Sequence, residues 1–333
     1  MDQLEEKHLE TSRGFHYRYY VSPAASADAS KPAIVLCHGW PDSADLWQFV
    51  VPQLLKSKLR LIVPDLLGAG QSSKPINPEA FEIKGMVDDM MEVLKSENIT
   101  QQIIPMGHDW GSYLAQRLYL LNKDRMAGLI TLNVAFQPPR ADAFDLETFN
   151  AYTEKVVGYP IFAYWLLFAD PEGPKLMEQH LESLWYAIHG EDPAQMKNLF
   201  CVRGAIKEWV EKDRKDSPLK PYARNEELKN AWIDSKKSGG LVSQGCWYRA
   251  TAENIHQATE SKLDGHVDLP YLFIGADGDA VCRTDAIEGP KSMGLLKNLQ
   301  VEEVHSGHWS PFEAPDDIAR IVLEWLAKNG FSA

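Results

Sequence analysis

The most constraining feature of the sequence is a five-residue turn, Gly107-His108-Asp109-Trp110-Gly111. An apolar run at residues 102–106 precedes it, and residues 112–121 carry a helical pattern after it. Glycines two positions before and two positions after Asp109 allow a strand to turn sharply into a helix and leave the central side chain exposed. This pattern is typical of a nucleophile elbow. A carboxylate at its tip can displace a leaving group from saturated carbon and form an ester.

Short apolar runs on both sides of the turn predict the strands of one sheet. They occupy residues 33–37, 59–65, 127–134, 270–275 and 299–304, and residues 15–22 are rich in strand-forming side chains. Such runs are typical of strands buried on both faces of a sheet. Helical patterns alternate with them, as at residues 81–97 and 316–327. The alternation predicts an α/β fold with a mostly parallel sheet flanked by helices.

Pro105 fits this interpretation poorly, because it lies inside the elbow strand and has no N–H to donate to a neighbouring strand. Either the ladder of hydrogen bonds is broken there, or the strand begins its turn early.

The middle of the chain has a different character. Between residues 137 and 260 there is no buried-strand run, and helical patterns occur at residues 146–157, 159–168, 174–188, 196–212, 226–238 and 241–255. A helical block between two parts of one sheet predicts an inserted lid, or cap. We therefore expect an α/β core from residues 1–136 and 261–333, and a helical cap from residues 137–260.

Composition excludes several classes of function. The formal net charge is −13 and no basic cluster offsets it, which argues against a nucleic-acid partner. No apolar run is long enough to span a membrane. The four cysteines show no spacing typical of a metal site. Reduced thiols without a targeting signal predict a cytoplasmic protein.

Four predicted strands end in residues that can perform chemistry. The first of these ends carries His38-Gly39-Trp40-Pro41, and the elbow carries Asp109. The run at 270–275 is followed by Asp277 and Asp279, and the run at 299–304 is followed by His308. Parallel strands deliver functional residues at their carboxyl ends. The order nucleophile, acid, histidine is that of the α/β-hydrolases.

With these motifs the chain resembles the soluble-type epoxide hydrolases of the α/β-hydrolase fold. The segments that match lie in sequence order and frame nearly the whole chain: His38-Gly39-Trp40-Pro41, Asp65-Leu66-Leu67-Gly68-Ala69-Gly70, Gly107-His108-Asp109-Trp110-Gly111-Ser112, Gly275-Ala276-Asp277-Gly278-Asp279 and Gly307-His308-Trp309. The resemblance implies that Asp109 is the nucleophile, that His308 activates water, and that Asp279 orients His308. Asp277 and Asp285 compete with Asp279 for the last role, and His305 is the rival of His308.

Opening an epoxide leaves a basic alkoxide, which needs a hydrogen-bond donor. A tyrosine hydroxyl remains a donor at neutral pH because its pKa is about 10. In the resembled family two lid tyrosines have this role. The segment 162–168 points to Tyr164, and Trp247-Tyr248-Arg249 points to Tyr248. Tyr152 and Tyr159 are the substitutes for the first tyrosine.

The resemblance also assigns supporting residues. The backbone N–H groups of Trp40 and Trp110 would form the oxyanion hole, and the Trp40–Pro41 bond would be cis. His38, Gly39, Pro41 and His108 would support the turns. Three lid aromatics are expected to line an apolar substrate pocket: Trp165, Phe168 and Trp247.

The sequence therefore predicts a hydrolase that converts apolar aryl or aliphatic epoxides to vicinal diols through an aspartyl ester. Its partners would be an epoxide and water, and no metal or organic cofactor is required. The alternatives are a haloalkane or haloacid dehalogenase and, from a different class, a non-catalytic ligand receptor. Trp at position 40, where similar dehalogenases commonly have Asn, counts against the first alternative. The oligomeric state, monomer or dimer, stays open.

Overall fold

The computed structural model describes residues 1–28, 30–237 and 239–332. Within these residues eight strands form one sheet. They are β1 (Glu5–Glu10), β2 (His16–Val21), β3 (Ala33–Cys37), β4 (Arg60–Pro64), β5 (Ile103–His108), β6 (Leu129–Leu132), β7 (Val267–Ala276) and β8 (Leu296–Val304). Their order is β1-β2-β4-β3-β5-β6-β7-β8. The two pairings of β2, with β1 and with β4, are antiparallel, and the other pairings are parallel. The predicted fold class is confirmed.

The helices are α1 (Val51–Leu54), α2 (Ile83–Ser96), α3 (Trp110–Leu121), α4 (Leu146–Val157), α5 (Trp165–Phe168), α6 (Gly173–Gln179), α7 (Leu181–Ile188), α8 (Gln195–Phe200), α9 (Ala205–Glu211), α10 (Glu226–Lys236), α11 (Gly240–Gln244), α12 (Cys246–Ala252), α13 (Gln257–Glu260), α14 (Glu288–Ser292), α15 (Ser310–Glu313) and α16 (Pro315–Lys328). Helices α4 to α13 all lie between β6 and β7. The helix predicted at 226–238 ends at Lys236, and Ser238 lies outside the described residues.

Several predicted helices are shorter than expected, for local reasons. The one expected at 196–212 is broken before Ala205, because Gly204 has a φ of 80° and begins a new helix. In the stretch 159–168 the α-helix begins only at Trp165, and Pro160 supplies no N–H to an earlier turn. The strand β1 was missed, because its mostly exposed residues lack an apolar pattern.

Pro105 lies in the middle of β5, opposite Val35 of β3. On the other side of β5, the ladder to β6 begins only at Met106, and Ile103 makes a separate bridge to Met126. Pro105 therefore lies where the β6 ladder is interrupted, which is the first of the two alternatives.

Both faces of the sheet are buried. Ile34, Leu36 and Met106 belong to a core on one face that also contains Tyr164 and Tyr248. Val35 and Cys37, which alternate with them, belong to a second core on the other face. Among the described residues, no helix combines the length and the apolar character needed to cross a membrane.

Candidate active site

The elbow places Asp109 between β5 and α3 in a strained conformation. Its φ is 54° and its ψ is −126°, which is rare for a residue with a side chain. The flanking glycines explain how the turn closes. A Cβ on Gly107 would overlap the carbonyl of Gly111, and a Cβ on Gly111 would overlap the carbonyl of Cys37. The strained turn projects the Asp109 carboxylate beyond the end of the sheet.

Asp109, His308 and Asp279 meet at the carboxyl ends of β5, β8 and β7. The Nε2 atom of His308 lies 3.6 Å from Oδ2 of Asp109. The Nδ1 atom of His308 lies 2.6 Å from Oδ2 of Asp279. The other Asp279 oxygen accepts the backbone N–H groups of Val281 (3.0 Å) and Cys282 (2.8 Å). The geometry is that of a nucleophile, a histidine and an acid that orients the histidine.

The electrostatics of the pair follow from its burial. Burial alone would raise the pKa of Asp279, but the charge of His308 and several hydrogen bonds lower it to about 2. Burial alone would lower the pKa of His308, but the carboxylates of Asp279 and Asp109 raise it well above its usual value. Proton uptake at His308 is therefore favoured while both carboxylates are charged.

The rival residues are engaged elsewhere. Asp277 lies 2.7 Å from Nδ1 of the exposed His305. Asp285 accepts a hydrogen bond of 2.9 Å from Arg283. The structure brings Asp279, and neither of the other two acids, into hydrogen-bond contact with His308.

Asn133 is a site residue that the sequence analysis missed. Its Nδ2 donates to Asp279 Oδ2 (2.9 Å), and its Oδ1 accepts from the hydroxyl of Ser310 (2.6 Å). Asn133 follows β6 with a φ of 62°. A polar residue at the carboxyl end of a buried run was the available signal. Asn133 fixes the orientation of the acid.

The loop after β3 supplies the first expected oxyanion donor. The backbone N–H of Trp40 donates to Asp109 Oδ1 at 2.8 Å. A Cβ on Gly39 would overlap the Asp109 side chain, so only glycine permits this approach. The Trp40–Pro41 bond is cis. The N–H of Trp110 is at the first position of α3, where helix N–H groups have no acceptor within the helix.

Two buried histidines hold the neighbouring loops. His38 accepts the N–H of Leu66 at Nε2 (2.9 Å) and donates from Nδ1 to the Gly39 carbonyl (2.9 Å). His108 donates from Nε2 to the carbonyl of His308 (2.7 Å). Burial lowers the pKa of each to about 4, so both are neutral at pH 7. The hydrogen bonds named here all join these rings to backbone atoms.

Tyr164 and Tyr248 are both buried and line a small cavity together with Asp109. Their ring centroids lie 5.9 Å apart. Burial and the nearby Asp109 carboxylate raise the pKa of each hydroxyl well above 10, so both remain protonated donors. The substitutes lie elsewhere. Tyr152 is 61% exposed, and the Tyr159 hydroxyl donates to the carbonyl of Ala280 (2.9 Å).

Trp165, Phe168 and Trp247, the residues expected to line the substrate pocket, are not among those that line this cavity. The Trp247 indole donates to the Leu67 carbonyl (3.2 Å), and the Trp165 ring stacks on Phe162. Phe168 packs against Trp40, with ring centroids 4.4 Å apart. The wall consists instead of Trp40, Asp109, Tyr164, Met196, Phe200, Tyr248, Val281, His308 and Trp309.

One set of three metal-type donors occurs in the described part of the chain: Asp279, Cys282 and His308, with donor atoms within 4.8 Å of one another. Two of the three already share the Asp279–His308 hydrogen bond. Asp279 and His308 are thus already engaged with each other as an acid–histidine pair.

Comparison with known proteins identifies the family of this chain. The family model described as the alpha/beta hydrolase fold matches residues 32–315. Epoxide hydrolase B of Mycobacterium tuberculosis is 37% identical over 341 aligned positions, which cover 90% of this chain and 92% of that protein. The chain therefore belongs to the α/β-hydrolase fold family and, within it, to the epoxide hydrolases that it matches.

Other relatives extend the comparison. Bifunctional epoxide hydrolase 2 of Rattus norvegicus is 27% identical over 89% of this chain, which spans only 52% of that relative. The chain thus spans about half the length of its mammalian relatives. The solved structure of Epoxide Hydrolase A from Mycobacterium thermoresistibile has a TM-score of 0.79 at 24% identity and covers 97% of this chain and 98% of its own. An epoxide hydrolase from an endophytic Streptomyces has a TM-score of 0.81 at 22% identity and covers 100% and 98%. These two likenesses concern the fold.

Proposed function

We propose that the protein hydrolyses apolar aryl or aliphatic epoxides to vicinal diols through a covalent ester on Asp109. The observation that carries this proposal is the pair of buried tyrosines beside the nucleophile. A receptor that only binds a ligand has no need of Asp109, His308 and Asp279 together with two tyrosine donors. A halide leaves without needing a proton, whereas the oxygen of an opened epoxide needs a hydrogen-bond donor. Tyr164 and Tyr248 supply two such donors.

In the first step the two oxygens of Asp109 have different roles. Oδ1 accepts the Trp40 N–H, so Oδ2 is the oxygen free to attack an epoxide carbon. A bond forms between Oδ2 and that carbon, and the carbon–oxygen bond of the epoxide breaks. The departing oxygen takes a proton from Tyr164 or Tyr248, which leaves a hydroxyl beside the new ester.

The second step releases the diol. Ester formation removes the negative charge of Asp109, which is one of the charges that raise the pKa of His308. His308 then takes a proton from water, and hydroxide adds to the carbonyl carbon of the ester. The N–H groups of Trp40 and Trp110 stabilise the oxyanion that develops. The intermediate collapses, and the departing diol oxygen takes the proton of the added hydroxyl, so that Asp109 returns as a carboxylate. The proton that His308 took from water then restores the tyrosine hydroxyl.

The wider setting is also part of the proposal. We assign residues 137–260 as a cap over a core of residues 1–136 and 261–333, because helices α4 to α13 lie between β6 and β7 and the same segment supplies both tyrosines. All four cysteines are free thiols, which supports a cytoplasmic location. The partners are an epoxide and water.

The test is product identification on matched epoxides and alkyl halides. We expect diol from the epoxides, and we expect Asp109→Asn to abolish its formation at early times, because the amide is a poor nucleophile. Asp285→Asn, a change at an exposed acid outside the site, is the control. Halide release without diol would support a dehalogenase, and tight binding without either product would support a receptor.

A further inference from the structure

Two cavities meet beside His308. The inner cavity, which contains the nucleophile and the two tyrosines, has a volume of about 10 Å³. The outer chamber has a volume of about 230 Å³ and reaches exposed residues such as Glu191 and His305. Both are bounded by Met196, His308 and Trp309. The inner cavity has room for about one water molecule, so an epoxide can enter only if part of its wall moves.

Of the three shared residues, Met196 is the least constrained. His308 is held by Asp279, and the Trp309 indole donates to Asp42 (3.0 Å). Met196 has no polar anchor, and its unbranched side chain has several low-energy conformations. It is half-buried, whereas the other eight residues of the inner wall are buried. A change of Met196 rotamer would therefore join the two cavities at the lowest cost.

The outer chamber has an acidic lining. Glu313 is paired with Lys220 (2.7 Å), and Glu191 is paired with Arg224 (2.9 Å). Asp192 accepts only a backbone N–H, that of Ala194 (2.9 Å), and has no cationic partner in the described part of the chain. Asp277 is paired with His305 (2.7 Å), so the excess negative charge of the lining comes from Asp192. This excess disfavours a carboxylate in the chamber.

We propose that the outer chamber is the substrate entrance, that Met196 gates its junction with the inner cavity, and that the chamber receives the far end of the substrate, which is uncharged or cationic. This inference rests on the proposed epoxide hydrolysis and specifies its substrate class. Water reaches His308, which takes a proton from it, through the same junction.

The gate is tested by changing the size of residue 196. We compare a short epoxide with a long terminal epoxide in Met196→Ala, Met196→Trp and the control Met293→Trp, which alters an exposed methionine outside both cavities. The readout is the ratio of kcat/KM for the long substrate to that for the short one. We expect a fall of about tenfold in Met196→Trp and a rise in Met196→Ala, because a gate acts on substrate size. A merely destabilising change would lower both rates alike.

An active enzyme whose ratio stays within about twofold of the wild type in both variants would overturn the gate. If the wild type formed no diol from the short epoxide and none from the long one, the hydrolase assignment would be overturned as well. The charge argument has its own test with long epoxides that end in a carboxylate or in the matching amide. We expect the amide to be preferred by about tenfold, with the preference reduced in Asp192→Asn. Equal or faster turnover of the carboxylate would contradict the proposed substrate class.

Discussion

At the scale of single residues, the proposed chemistry depends on the hydrogen-bond partners of the two carboxylates, Asp109 and Asp279. The backbone N–H of Trp40 donates to Oδ1 of Asp109, and Nε2 of His308 lies 3.6 Å from Oδ2. Asp279 has two backbone donors, one amide donor and one imidazole donor. In the proposed mechanism Asp109 is thus free to attack, whereas Asp279 is fixed and orients His308.

Removing either tyrosine hydroxyl should slow epoxide opening more than ester hydrolysis. Tyr164→Phe and Tyr248→Phe each delete a donor to the departing oxygen, a type of change that costs about 10²–10³ in rate. The double variant should be nearly inactive. Rapid-quench measurement separates ester formation from ester breakdown, and Tyr152→Phe is the matched control at an exposed position. Unchanged ester formation in the double variant would exclude both hydroxyls as donors.

Asp279→Asn should allow the ester to form and then stall. The carboxylate of Asp279 raises the pKa of His308, so its loss should lower that pKa, and the ring loses its orienting partner. We expect ester hydrolysis to slow by about 10²–10⁴, the usual contribution of general-base catalysis. Mass spectrometry should find the adduct on the Asp109 peptide. Rapid loss of the adduct would place the orienting role on another residue.

At the scale of secondary-structure elements, the close contact between the β3 loop and the elbow holds the Trp40 N–H, the proposed oxyanion donor, in place. In Gly39→Ala the new Cβ would overlap Asp109, so the loop must shift and move the Trp40 N–H. We expect kcat to fall by about 10²–10³. The control is Gly289→Ala in α14, where a Cβ meets no atom within 4 Å. Equal activity in the two variants would show that the loop position is not critical.

Sequence could predict the elements whose signal is local. The elbow is specified by Gly107 and Gly111, and the buried strands by continuous apolar runs. Strand ends carry Asp109, Asp279 and His308, so the topology brings these residues together. Cavity walls depend instead on the direction in which each side chain packs. Trp247 is an aromatic residue of the helical segment, as a pocket residue would be, yet its indole N–H donates a hydrogen bond to the Leu67 carbonyl.

Other features escaped prediction for related reasons. Asn133 acts through a contact with Asp279 across 146 residues of sequence, which no short motif encodes. The strand β1 is an edge strand with charged, exposed residues, so it has no apolar period. Met196 reaches the inner wall from a short helix in the segment between β6 and β7, and only the tertiary structure shows this.

At the scale of the whole molecule, buried histidines should make stability depend on pH. Burial lowers the pKa of His38, His108 and His256 to about 4, and that of His189 well below its usual value. Their contribution to stability is present above pH 6.5 and is lost as pH falls toward 4. Burial raises the pKa of Asp42 to about 6, which acts in the opposite direction.

Unfolding at pH 5 should therefore take up about two to three protons net at these groups. We expect the free energy of unfolding to fall by about 3 kcal/mol between pH 6 and pH 5. Denaturant titrations at several pH values measure this slope, and His256→Gln should reduce it by about one proton. A flat profile over this range would contradict neutral, buried histidines.

The most direct test of the central claim is a single turnover in H₂¹⁸O with enzyme in excess over epoxide. The Asp109 mechanism predicts that the first diol contains no ¹⁸O from the solvent and that the label appears in the Asp109 peptide, because water attacks the carbonyl carbon of the ester. Solvent ¹⁸O in the first diol, with none in that peptide, would mean that water attacks the epoxide directly and would contradict the covalent mechanism.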